Sequence, residues 1–192
     1  QVHMAVSLSD ILSLTAPCEG FLCDEEQTAR SGFAITDFRI RSPSSSDPNN
    51  VIFHVGETGE QIGSYEVMPG IPPHRGIRYI LPDSFLSLKD IATGVTFRAG
   101  ESPVEGLTVV ELHFVSGQLI RSWQFELGFM PPKSENTMEV VYDNPLAQRK
   151  HKSLQKVIRA HPFSWVCETF YFRDIEGTPT LVMHNKAAFA VK

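Results

Sequence analysis

The sequence predicts an all-β fold, a sandwich or barrel of short strands. Three observations carry that expectation: eight or nine runs alternate apolar and polar residues, turn formers punctuate them, and helical periodicity is scarce. Phe38-Arg39-Ile40-Arg41 alternates as a strand with one wet face does. A polar loop over 42–50 separates it from runs at 51–55, 62–67, 77–81 and 95–97. Two longer runs, 107–115 and 119–129, are split by Ser116-Gly117-Gln118, a hairpin signal. The last pair, 166–173 and 181–191, is split by Asp174-Ile175-Glu176-Gly177-Thr178. Two helices are expected. A short one covers 8–14 with Ser7 or Ser9 as its cap. A second lies near 145–160, with Leu146, Leu154, Val157 and Ile158 inward, Pro145 in its first turn and Asp143 or Asn144 as cap.

Composition narrows the classes. The chain has 192 residues, 42% hydrophobic and 20% charged, which suits one domain over 8–192. Residues 1–7 read as a vector-derived scar, Gln1-Val2-His3 before a native start at Met4, and a flexible N-terminus. A net charge of -5 disfavours a generic nucleic-acid binder. No apolar run approaches the ~20 residues of a membrane span, and no signal peptide is visible. Cys18, Cys23 and Cys167 form no CxxC pair and read as reduced thiols of a cytoplasmic protein. The 13 Phe against 4 Tyr and 2 Trp give the chain much aromatic surface without a polar handle.

The central hairpin is unusual. One face of 107–115 carries Leu107, Val109, Glu111, His113 and Val115; the other carries Thr108, Val110, Leu112 and Phe114. Both are mostly apolar, so the strand is buried on both sides or lines something apolar. Its partner stacks Trp123, Phe125, Leu127 and Phe129 on one surface. A sheet-on-sheet core is only ~10 Å thick, so these rings imply either a tight aromatic core or two sheets splayed around a cavity. Glu111 and His113 share a face and read as an acid/base pair, two metal ligands lacking a third at recognisable spacing, or a structural contact. The common hydrolase and nucleotide motifs are absent. Arg149, Lys150, His151, Lys152, Lys156 and Arg159 make the second helix basic, as a partner or membrane surface or as a solvated face. Asn185, on the face assigned to Leu181, Met183, Phe189 and Val191, is either a core amide or a polar spot in a pocket.

At the level of motifs the chain resembles a known family. Ser122-Trp123-Gln124-Phe125-Glu126-Leu127-Gly128-Phe129, with Pro132 and Asn136-Thr137 after it, is similar to the signature of the rod phosphodiesterase delta-subunit family. Leu181-Val182-Met183-His184-Asn185-Lys186-Ala187, Glu168-Thr169-Phe170-Tyr171-Phe172, Asp10-Ile11-Leu12-Ser13-Leu14 and Gly20-Phe21-Leu22-Cys23 resemble its uncoordinated-type (retinal protein 4-like) branch. The resemblance implies an immunoglobulin-like β-sandwich with a lipid pocket between the sheets. It implies a non-enzymatic carrier for N-myristoylated client proteins, bound for a cilium, flagellum or membrane and released by a GTP-bound Arf-like small GTPase. No cofactor, metal, nucleic acid or stable membrane insertion is expected; a prenyl carrier or a lipid-free GTPase effector are the alternatives. Carried over by position, the lipid wall is Phe38, Ile77, Tyr79, Phe85, Trp123, Phe125 and Tyr171. Glu111 and His113 form the polar pair, with Glu111 accepting from peptide amides and Tyr79 and Tyr171 giving hydroxyls at the entrance. The chain departs from the branch at Trp123, at Asn144, where an aromatic is expected, and at Phe189, which lacks a tyrosine's hydroxyl.

Overall fold

A computed structural model describes residues 6–43, 47 and 50–192. Alternation produces ten strands among them: β1 Phe33–Arg41, β2 Val51–Gly56, β3 Ser64–Val67, β4 Gly76–Leu81, β5 Asp90–Ala99, β6 Val104–Val115, β7 Gln118–Met130, β8 Glu135–Asp143, β9 Trp165–Ile175 and β10 Thr178–Val191. They form a four-stranded sheet, β2-β1-β5-β8, facing a six-stranded sheet, β3-β4-β10-β9-β6-β7. This is the expected all-β, immunoglobulin-like sandwich. Three short helices accompany it: α1 Leu8–Leu12, α2 Glu25–Ala29 and α3 Lys152–Ala160. None of the described helices is long and apolar enough to cross a membrane.

The β6–β7 hairpin turns where expected, with Ser116 and Gly117 both at positive φ, the twist-compatible hairpin geometry. Ser7 caps α1 in a reciprocal capping box with Asp10, and Val6 packs beside it. The expected scar and the rest of the expected flexible N-terminus, residues 1–5, and residues 44–46 and 48–49 of the polar loop lie outside the described residues.

Five departures from expectation appear. The strand β8 and the helix α2 were not anticipated. The helix near 145–160 is broken: 3₁₀ turns at Pro145–Ala147 and Arg149–His151 precede α3. Asn144 caps the first of these turns and also donates to the Phe85 carbonyl, so it is a buried structural amide. Phe129 is 58% exposed while Met130 is buried, because Gly128 at φ +71° and an irregular β6–β7 register break the alternation. A bulge between Leu181 and Met183 likewise puts Leu181 in a different cluster from Met183.

The fold buries three clusters. One surrounds Phe53, Tyr79, Phe85, Trp165 and Phe189. A second holds Phe33, Phe97, Val109, Tyr171 and Met183. The third gathers Val110, Leu112, Phe114, Phe170 and Phe172 with Ile11 and Cys23 of the N-terminal segment. The two-sided burial expected of residues 107–115 follows: the odd face of β6 enters the sandwich, and the even face lies under residues 6–23.

Candidate ligand cavity

The sheets are splayed rather than closed. Between them lies a cavity of about 760 Å³, within the range of small-molecule sites. All nine residues expected at the site, Phe38, Ile77, Tyr79, Phe85, Glu111, His113, Trp123, Phe125 and Tyr171, line it. The lining residues that are exposed, including Ala34 and Glu57 on one sheet and Glu25 and His74 opposite, cluster where β1 and β2 face α2 and the start of β4. That side is the mouth.

Strand register explains how the inner wall is assembled. Opposite His113 on β6 stands Cys167 on β9, and opposite Glu111 stands Thr169. On β10, Asn185 pairs with Thr169 and Phe189 with Trp165. A polar row, Glu111–Thr169–Asn185, therefore crosses the wall between the two apolar clusters. Asn185 is thus a polar spot in the pocket, its Oδ1 buried without a partner.

The Tyr79 and Tyr171 hydroxyls, expected at the entrance, are inside: the residues are 7% and 5% exposed. Tyr79 packs between Phe38 and Phe189, with ring centroids 5.3 Å away on either side. Tyr171 packs against Phe33 and Phe97. Burial pushes both phenols up, and the nearby Glu111 charge adds to the effect.

His113 is boxed by rings, edge-on to Trp123 at 4.9 Å and tilted against Trp165 at 5.8 Å. The Trp165 indole N–H donates to His113 Nδ1 at 3.0 Å. Indole N–H is only a donor, so Nδ1 holds a lone pair and the ring proton sits on Nε2. Nε2–H in turn donates to Glu111. The tautomer follows from these partners.

Cys167 is the third group that spacing did not reveal. Ligand atoms of Glu111, His113 and Cys167 lie within 4.8 Å of one another. The set has the residue types of a zinc site. A metal there would have to displace the Nε2 proton and that of the Cys167 thiol, whose pKa burial, then the Glu111 charge, push well up. What the arrangement can do is present an oriented carboxylate to a ligand N–H from an otherwise aromatic wall. Trp165 and Cys167 had one legible signal, the period-two run Trp165, Cys167, Thr169, Tyr171.

Three relatives bear on the chain. The family model described as GMP-PDE, delta subunit, matches residues 27–190. Protein unc-119 of Caenorhabditis briggsae is 30% identical over 96% of this chain and 79% of its own length. Protein unc-119 of Caenorhabditis elegans is 29% identical over the same shares. Protein unc-119 homolog B of Homo sapiens is 29% identical over 94% of this chain and 69% of its own length.

Proposed function

This chain belongs to the GMP-PDE, delta subunit family, and from that premise we propose that it is a lipid-binding carrier, not an enzyme, that shields the N-terminal myristoyl group of client proteins. Residues 8–192 act as one lipid-binding domain. The carrying observation is the 760 Å³ cavity walled by Phe38, Phe85, Trp123 and Phe125 and holding one oriented carboxylate, Glu111.

The energetics favour a polar contact as the discriminating one. A myristoyl chain alone partitions into bilayers with only about 10⁴ M⁻¹. Burying its methylenes at about 0.8 kcal/mol each contributes on the order of 10 kcal/mol, but a bilayer offers the same burial. Glu111 adds what a bilayer lacks, a charged acceptor for the amide N–H groups that follow an acylated glycine. In this reading release needs a partner that favours a state with a poorer cavity. We assign that role to a GTP-bound Arf-like GTPase, with delivery from the cytoplasm to a cilium, flagellum or other membrane.

The test is titration of a fluorescent N-myristoylated peptide beside its unmyristoylated twin. Binding confined to the acylated peptide is expected; equal weak binding of both would sink the reading. A prenylated peptide that competes better would change the cargo class.

A further inference from the structure

Charge in this chain is segregated. Between Asp143 and Glu168 stand Arg149, Lys150, Lys152, Lys156 and Arg159, and no Asp or Glu. These are five of the 17 Lys and Arg residues, so the rest of the chain holds 12 against all 22 Asp and Glu. A strongly acidic body carries one basic island.

The structure places the island on one face. α3 turns Leu154, Val157 and Ile158 onto the cluster around Phe85 and Trp165. Gln155 Nε2 donates to the Leu86 and Leu146 carbonyls at 3.0 and 2.7 Å. The helix's inward side is fully used. Lys152 and Lys156, four residues apart, share the outer side of α3, and Arg149 and Lys150 lie in the turn just before it; all four are exposed. Among the described residues no carboxylate pairs with these four; the neighbouring Asp83 is taken by Arg159 at 2.6 Å.

Folding gains nothing from this placement. Arg149, Lys150 and Lys152 stand at or just before the N-terminus of α3, whose first turn has no acid and no side-chain cap. The positive end of the helix dipole disfavours cations there. The charges lie at a destabilising position, unneutralised, on the outside.

We propose that this face docks onto the anionic headgroup surface of a membrane. A flat anionic surface can meet one basic face while the acidic body stays clear of it; a long nucleic acid, reaching past the island, would meet that body. The apolar side of α3 is already buried, so contact is electrostatic and peripheral, without insertion. The elements flanking α3 contribute Pro145 and Trp165 to the cavity lining, so docking brings that end of the cavity toward the bilayer. The proposal goes beyond the carrier reading and needs no cargo.

The experiment is co-sedimentation of the unliganded protein with phosphatidylserine-rich and pure phosphatidylcholine vesicles across a salt series. Expected is binding to the anionic vesicles only, fading as salt rises. Each cation is worth about fivefold in partitioning, so R149E, K150E, K152E and K156E together should weaken it by on the order of a hundredfold or more. The same variant should still bind myristoylated peptide, which separates lost docking from lost fold. Absent binding to anionic vesicles, or equal binding by wild type and variant, overturns the proposal. So does RNA that binds the island more tightly than vesicles at matched phosphate.

Discussion

Glu168 and Glu111 are carboxylates on neighbouring central strands of the same sheet, one on its outer face and one on its inner. Glu168, opposite Leu112 in the β6–β9 register, is 0% exposed. Its two oxygens each accept from the Cys18 backbone N–H at 3.1 Å, and Lys186 Nζ lies 2.8 Å from one of them. Beside it, His184 Nδ1 accepts from the Leu22 N–H at 3.1 Å. The outer charges are thus met by the chain's own N-terminal segment. Glu111 is held by His113 on one side and faces the cavity on the other. A buried charge that the fold satisfies is structural; one left facing space has its remaining acceptor sites available to a ligand.

The largest effect should come from breaking the outer set. Glu168→Ala leaves Lys186 beside an unpaired site and frees the Cys18 amide, so it should cost about 3–5 kcal/mol in denaturant unfolding. If stability is unchanged while peptide binding falls, the outer face is not merely structural and the contrast fails. The next effect belongs to the inner carboxylate. Glu111→Ala orphans the buried His113 Nε2–H and should cost about 1–3 kcal/mol in unfolding, less than Glu168→Ala, with the fold intact; it should weaken myristoyl-peptide binding about ten- to a hundredfold, the loss of a charged hydrogen bond. An unchanged affinity in the same titration would remove Glu111 from the ligand.

The third way to sharpen the contrast uses pH. Burial, then the Lys186 and Arg75 charges, depress His184 from 6.5 to about 3. The unfolded chain therefore takes up a proton between those values that the folded chain does not. Unfolded binds more, so stability rises with pH across this window and is lost as pH falls through it, by at most about 1.4 kcal/mol per unit. His184→Asn should flatten that segment of a stability-versus-pH curve measured from pH 6.5 to 4. An unaltered slope would mean that carboxylates alone drive acid unfolding.

The two faces were unequally legible in the sequence. Inner-face residues recur at period two, so Val109, Glu111, His113 and Trp123, Phe125 could be read directly. The outer set could not, because Glu168 and His184 meet backbone groups 150 and 162 residues away. Cys167 joined the site only through its register with His113. The strand β8 alternates Met138, Val140 and Tyr142 inward, but its polar start, Glu135-Asn136-Thr137, hid the period. Bulges are the other limit. At Gly128 and after Leu181 one irregular step reassigns every later side chain to the opposite face; the glycine is a bulge signal, but nothing in the composition around Leu181 announces the second.

The smallest effect tests the inner site's chemistry most closely. Trp165, with Glu111 on the other side of the ring, holds the His113 proton on Nε2. Trp165→Phe removes that donor and should cost only about 1 kcal/mol for the lost hydrogen bond, plus some packing. Its clear signature is spectroscopic. In wild-type protein the His113 ¹⁵N shifts should report an unprotonated Nδ1 and a protonated Nε2; in the variant they should move toward a mixture. The freed Nδ1 can then carry the proton, which opens the Nε2 lone pair toward Glu111 and Cys167. A wild-type Nδ1–H tautomer would overturn the assignment, since the His113 Nε2 lone pair would then face Glu111 and could not donate to it. The inner carboxylate would then lack the donor that orients it, and the contrast with Glu168 would rest on different chemistry.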